Sequence, residues 1–273
     1  MLMALRAHWP EYLMEAAELG MFMISACVFA TIVEHPASPI AEVLSLPTIR
    51  RLLMGIAMGL TAVGIICSPW GQQSGGHLNP AVTLTFLRLG KVRPWDALFY
   101  IGAQFLGGIA GVLVATMFLR EAIAHPAVNY VTTRPGEAGL LIAFAAEFGI
   151  SFILISMVLR ISNTARLARY TPLFAGALVA TYITLEAPIS GMSMNPARTF
   201  GSAMAAQLWT SLWIYFTAPP LGMLAAAEVY RWQKGAHAVL CAKLHHHNDK
   251  HCIFRCGYEA AQTRSPQCTG VAV

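Results

Sequence analysis

The chain alternates long apolar blocks with short polar segments, and the lengths of these blocks predict a helical membrane protein. A helix needs about 20 mainly apolar residues to cross the hydrocarbon core of a bilayer. Blocks that reach or approach this length cover residues 12–33, 48–67, 97–119, 138–159, 170–185 and 208–230. Two further apolar pieces, 81–89 and 197–206, reach only about halfway across the core. The pattern therefore predicts six transmembrane helices and two half-spans.

Composition supports a membrane protein and excludes a nucleic-acid-binding one. The 273 residues are 56% hydrophobic and 11% charged, whereas soluble domains carry about 25% charged residues. The net charge is +5, but the basic residues are scattered between apolar blocks and form no cluster of the kind that binds phosphates. The cysteines lie inside apolar blocks or near the C-terminus and indicate no disulfide framework.

The distribution of basic residues predicts the orientation. With six spans both termini lie on one side, and most of the 18 Lys and Arg residues fall on that side. The opposite side receives Arg50, Arg51, Arg120 and Arg134. Because basic residues concentrate on the cytoplasmic side of membrane proteins, we expect cytoplasmic termini in a multi-pass protein of the plasma membrane.

The chain contains an internal repeat. Ala-Ala-Glu-Leu-Gly at 16–20 returns as Ala-Ala-Glu-Phe-Gly at 145–149, and Asn-Pro-Ala at 79–81 returns at 195–197. Each copy of Asn-Pro-Ala follows a glycine-containing loop and opens a half-span. Two matched copies in the same context make coincidental helix caps an improbable explanation.

The repeat predicts the domain organisation. Repeat 1 covers about residues 12–119 and repeat 2 about 138–232, each with three spans and one half-span. Because three is odd, the second repeat lies inverted relative to the first, and the half-spans meet at the middle of the bilayer. We therefore expect a membrane domain at 12–232, with an N-terminal segment at 1–11 and a flexible His- and Cys-containing tail at 233–273.

Over residues 10–232 the chain resembles the aquaporin, or major intrinsic protein, family. The paired motifs carry the resemblance, together with the Ser-Gly-Gly-His-Leu-Asn-Pro-Ala-Val-Thr and Met-Asn-Pro-Ala-Arg contexts, the two repeated glutamates and Ala103-Gln104. The resemblance implies a right-handed bundle of six helices with two re-entrant half-helices. It also implies a homotetramer in lipid with one pore per subunit, which passes water and small neutral solutes, has no cofactor and is not an enzyme.

The repeated motif has a physical reading. Asparagine is a preferred N-cap and proline a preferred first helical residue, so the motif is a helix start. If the asparagine oxygen caps the helix, its NH₂ group is left free to donate into a pore. Two helix N-termini that face each other also create a positive field, which excludes cations and protons. The motif residues are Asn79, Pro80, Ala81, Asn195, Pro196 and Ala197.

Arg198 is a basic residue in an apolar segment and must face a polar cavity. The resemblance places it in a selectivity filter with Ile183 and Met192. For the second span we favour Met58 as the filter residue, from alignment of the Met-Gly-Leu pattern; counting residues back from the first motif gives Gly59 as the alternative. This apolar lining leaves water, glycerol, urea, ammonia, peroxide and metalloid hydroxides all open as solutes.

The intramembrane glutamates and a loop histidine have alternative readings. Glu18 and Glu147, one per repeat, suit acceptors for the backbone N–H groups of the re-entrant loops, as the resemblance also implies. The alternative is an ion-coupled transporter or a cation channel that uses these carboxylates. We expect His77 to order the first loop; the alternative is an intramembrane enzyme.

The tail holds a group of residues of the types that bind zinc or copper. Their spacing matches no zinc finger, so metal binding and a simple flexible tail are both open. The candidate ligands are His245, His246, His247, His251, Cys252 and Cys256.

Overall fold

A computed structural model describes residues 1–258, and this part of the chain is helical with short connections and contains no strand. Its α-helices are α1 (Leu2–Glu34), α2 (Pro39–Val43), α3 (Pro47–Cys67), α4 (Pro69–Ser74), α5 (Pro80–Arg88), α6 (Pro94–Leu119), α7 (Glu121–Ala124), α8 (Leu140–Ser162), α9 (Thr171–Leu185), α10 (Ala187–Ser190), α11 (Pro196–Ala206) and α12 (Leu212–Lys234). Single 3-10 turns occur at Asn129–Val131, Ala168–Tyr170 and Ala236–Ala238.

The long helices confirm the predicted spans. Among the described residues, α1, α3, α6, α8 and α12 are long and apolar enough to cross a membrane. The sixth, α9, has 15 residues and corresponds to the shortest predicted block. Helix α1 begins well before the predicted start and continues through Pro10, with a kink at His8, whose φ is −127°. The kink accommodates Pro10, which has no backbone N–H to donate to the preceding turn of the helix.

Packing follows the internal repeat. Helix α1 packs on α6 in the first half, α8 packs on α12 in the second, and α3 packs on α9 across the two halves. The α3–α9 crossing is close because glycines face each other. A Cβ atom added to Gly59 would lie 2.6 Å from the carbonyl oxygen of Gly176, and one added to Gly176 would lie 2.6 Å from that of Gly59. Small residues therefore allow the two backbones to touch.

The two predicted half-spans form the short helices α5 and α11. Each packs against the last long helix of the other repeat, α5 on α12 and α11 on α6. The exchange of partners draws the half-helices toward the centre of the bundle, where their N-termini meet. The predicted arrangement of long helices around two half-helices is thereby confirmed.

The described part of the tail packs against the bundle, which the prediction of a flexible tail did not anticipate. Leu240 N donates to Asn163 Oδ1 at 2.6 Å, and Tyr258 Oη donates to the carbonyl of Ser162 at 2.8 Å. Phe254 is buried. Apolar burial and these bonds fix residues 236–258 on the protein. The rest of the predicted tail, 259–273, lies outside the described residues.

Candidate functional site

Asn79 and Asn195 begin the two half-helices, and each caps its own. Asn79 Oδ1 accepts a hydrogen bond from Ala81 N at 2.9 Å. Asn195 Oδ1 accepts from Ala197 N at 3.0 Å and from Arg198 N at 3.2 Å. The following proline of each motif occupies the first helical position, where its lack of an N–H costs nothing. The motif thus builds the local structure that its sequence predicts.

Each asparagine also bonds to the opposite loop. Asn79 Nδ2 donates to the carbonyl of Met194 at 2.7 Å, and Asn195 Nδ2 donates to the carbonyl of Leu78 at 2.7 Å. The prediction that the NH₂ groups are free is therefore wrong for one of their two N–H bonds. The reason is tertiary: Leu78 and Met194 both have a φ of +53°, and their carbonyls lie within reach of the opposite asparagine. One N–H per asparagine remains for another acceptor.

A cavity of about 400 Å³ passes both asparagines. Its wall is mainly apolar and is shared by both repeats. Met58, Ile183, Met192 and Arg198, the residues predicted for the filter, all line it.

The structure separates the two candidates in the second span. Met58 lines the cavity, whereas Gly59 faces Gly176 of α9 at the close helix crossing. Neighbouring residues on a helix point about 100° apart, so both cannot face the cavity. The geometry favours Met58.

Arg198 supplies an unused cationic donor to this cavity. Its guanidinium lines the wall, and its buried Nη1 atom has no hydrogen-bond partner among residues 1–258. A buried donor without a protein partner costs free energy unless another acceptor reaches it. The side chain is therefore placed to donate to molecules inside the cavity.

Glu147 holds the second loop, residues 190–195. Its carboxylate accepts hydrogen bonds from Ser193 N at 2.7 Å, from Met194 N at 2.8 Å and from Ser190 Oγ at 2.7 Å. It does not line the cavity. A loop inside a bilayer must satisfy its backbone within the protein, and this carboxylate meets that need.

In the first loop, residues 74–79, the same task falls to Glu15. The backbone N–H groups of His77 and Leu78 donate to its carboxylate, each at 2.8 Å. Glu18 instead accepts from the hydroxyl of Ser74 at 2.8 Å. The prediction that Glu18 receives the loop N–H groups is therefore wrong. Glu15 lies three residues earlier on the same helical face, a spacing that could have suggested a pair rather than one acceptor.

His77 orders the first loop and touches the tail. Its Nδ1 lies 3.0 Å from Thr83 Oγ1, and its Nε2 lies 2.9 Å from the carbonyl oxygen of Ala242. Both ring nitrogens are thus engaged, one within the half-helix and one with the tail. This arrangement agrees with the expected ordering role.

Only part of the predicted metal set converges in the described tail. Cys252, Cys256 and His246 lie together with Cys241, with one ligand atom of each within 4.8 Å of the others. His245, His247 and His251 are not members of this group, so their prediction as ligands is not supported. Cys241 was missed because it precedes the histidine run and lies four positions outside it.

These features define a class: an inverted-repeat, multi-pass membrane protein with two re-entrant half-helices that meet in a central cavity. The sequence model described as Major intrinsic protein matches residues 6–230. The chain belongs to that family.

Individual proteins agree with this assignment. The chain is 39% identical to Aquaporin NIP6-1 of Arabidopsis thaliana over 171 residues, which cover 62% of this chain and 54% of that protein. It is 35% identical to Aquaporin NIP2-1 of Zea mays over 188 residues, which cover 67% and 60%. The chain thus spans between half and two thirds of the length of these relatives.

A solved structure has the same fold. The aquaglyceroporin from Plasmodium falciparum superimposes with a TM-score of 0.67 at 20% sequence identity, over 82% of this chain and 95% of that one. At this identity the match speaks for the fold alone.

Proposed function

We propose that this chain is a passive pore for water and small uncharged solutes that excludes ions. The observation that carries the proposal is the pair of half-helix N-termini at one cavity. Asn79 and Asn195 cap these N-termini, line the cavity and each donate a hydrogen bond to the opposite loop. A molecule in the cavity meets side-chain amide donors in the middle of a mainly apolar wall. Such a lining suits a small neutral molecule that accepts hydrogen bonds.

Exclusion of cations follows from the electrostatics of the same place. Each helix N-terminus contributes about half a positive elementary charge, and Arg198 adds a full one beside the second motif. Among residues 1–258, Glu34 is the carboxylate that lines the cavity, and it is paired with Arg50 at 3.0 Å, whereas Glu15, Glu18 and Glu147 are turned to the loops. A cation beside the two asparagines would therefore lose its hydration and gain no counter-charge there.

The alternatives find less support. A proton or cation path through Glu18 and Glu147 needs carboxylates that line the cavity, and neither does. An intramembrane enzyme based on His77 needs a free ring nitrogen, and both are hydrogen-bonded to the protein. The names of relatives, which call them aquaporins, also favour a pore.

The filter suggests a permissive pore. Met58, Ile183 and Met192 are apolar, so Arg198 is the hydrogen-bonding side chain of the proposed constriction. A weakly polar constriction binds water loosely and admits solutes with carbon or metalloid centres. We include glycerol, urea, ammonia, peroxide and uncharged metalloid hydroxides in the proposed solute class.

We further propose a homotetramer in the plasma membrane, with both termini in the cytoplasm. The excess of Lys and Arg on the side of the termini supports the orientation. Exposed apolar side chains on the outer faces of the long helices, such as Leu106, Phe118 and Leu141, supply surface for lipid and neighbouring subunits.

The decisive experiment is stopped-flow light scattering on proteoliposomes of the full chain. We expect water permeability clearly above that of empty vesicles, measurable glycerol or urea permeability, and no ionic current in planar bilayers. Arg198→Ala should raise the solute-to-water permeability ratio, because it removes the largest side chain of the proposed filter. Robust ionic current through the wild-type protein would overturn the proposal.

A further inference from the structure

Four side chains of the tail converge on one point. Cys241, His246, Cys252 and Cys256, which we call the tail cluster, each place one ligand atom within 4.8 Å of the other three. The Sγ atoms of Cys241 and Cys252 are 3.5 Å apart, and Cys256 Sγ lies 3.0 Å from His246 Nε2. All three cysteines are free.

The donor set and its dimensions suit zinc. Structural zinc sites use four ligands in a tetrahedron, commonly three cysteines and one histidine. With a zinc–sulfur bond of about 2.3 Å, the ligand atoms of such a tetrahedron lie about 3.8 Å apart. The two shortest contacts in the tail cluster, 3.5 Å and 3.0 Å, lie below this value, and all four ligand atoms lie within 4.8 Å of one another. Thiolates are soft ligands, which argues against magnesium or calcium.

The surroundings also suit a bound metal with three thiolates. Such a centre carries a net charge of −1. Lys243 is buried, and its backbone N–H donates to Cys241 Sγ at 3.5 Å. Lys243 Nζ donates to the carbonyls of Lys250 at 3.0 Å and His251 at 2.9 Å, which closes the chain around the cluster.

The cluster is joined to the proposed pore through the first loop. His77, which lines the cavity, is bonded to Ala242 of the tail and stacks on Phe254 with ring centroids 5.4 Å apart. Leu244 N donates to the carbonyl of Gly75 at 3.0 Å. Leu244 itself lines the cavity, as do Gly76 and His77 of the first loop.

We propose that the tail cluster binds one zinc ion, and that this ion holds Leu244 at the mouth of the cavity. The metal links Cys241, before Leu244 in sequence, to residues on its far side, so the intervening segment is closed into a loop. Metal loss would release this loop from Gly75 and His77 and widen the mouth. The second half of the proposal rests on the proposed function, whereas the metal site does not.

The metal site is tested by the zinc content of the full-length protein purified under reducing conditions and exposed to zinc. We expect one zinc per chain, lost in Cys252→Ser and retained in the matched control Cys67→Ser, whose thiol is exposed and is not a member of the cluster. Cobalt(II) in place of zinc should give the absorption of tetrahedral thiolate coordination. A wild-type protein without zinc, equal loss in the control, or a Cys241–Cys252 disulfide in the reduced preparation would overturn the site.

The effect on the mouth is tested by water permeability of proteoliposomes before and after chelation on both sides of the membrane. We expect chelation to raise wild-type permeability, Cys252→Ser to be high already, and Leu244→Ala to be high with its zinc retained. Unchanged permeability after measured zinc loss would overturn the gate. Vesicles without water permeability in any state would overturn the proposed function instead, while zinc content would still decide the metal site.

Discussion

Gly107 of α6 lies against the backbone of Ala16 in α1, so close that a Cβ atom added to the glycine would lie 2.1 Å from the Ala16 carbonyl oxygen. Gly107→Ala should therefore push the two helices apart and destabilise the fold by about 1–3 kcal/mol. The matched control is Gly102→Ala in the same helix, where an added Cβ would meet nothing within 4 Å. Thermal unfolding in detergent should show a lower midpoint for Gly107→Ala only; equal midpoints would contradict the close crossing.

Glu15 and Glu18 should respond differently to removal of charge. Glu15→Gln replaces one carboxylate oxygen by an NH₂ group that faces a backbone N–H of the first loop, so one buried donor loses its acceptor. The cost is about 1–3 kcal/mol. Glu18→Gln keeps an oxygen for the hydroxyl of Ser74 and should change stability little. The measurements are the thermal unfolding midpoint and the water permeability of both variants. A larger loss of stability for Glu18→Gln than for Glu15→Gln would contradict the assignment of Glu15 as the acceptor of the loop N–H groups.

Asn195→Asp should weaken the exclusion of cations. The substitution places a negative charge at the meeting point of the half-helices and removes the N–H that bonds to Leu78. A barrier lowered by only about 1.4 kcal/mol would raise cation flux about tenfold, and a nearby charge in this environment is worth more than that. The control is Asn163→Asp, which adds the same charge outside the cavity and keeps an oxygen for Leu240 N. Equal bilayer conductance of the two variants would count against the electrostatic account.

Met58→Ala should widen the proposed filter, because Met58 lines the same cavity as Arg198. We expect glycerol permeability to rise relative to water permeability. Leu60→Ala, on the exposed face of the same helix, should leave the ratio unchanged. Osmotic and solute permeabilities from the same vesicle preparation measure the ratio, and an unaltered value for Met58→Ala would place the constriction elsewhere.

The sequence by itself determined the spans, the inverted repeat and the two helix starts. These depend on local properties: the length of an apolar block sets a transmembrane helix, and Asn-Pro has a built-in preference for a helix start. The helices α5 and α11 accordingly begin at the prolines of the two motifs. The position of Arg198 at a cavity was also predictable from local sequence, because a single cation in an apolar segment needs a polar cavity.

Only the tertiary structure decided which groups meet across the chain. In the structure the backbone N–H groups of the first loop donate to Glu15 rather than to Glu18. Met58 rather than Gly59 lines the cavity. The tertiary structure also joined Cys241 to the later tail residues and laid the tail on His77. Spacing along the sequence cannot fix such partners, because they depend on the rotation and separation of helices, which are set by the packing of all of them together.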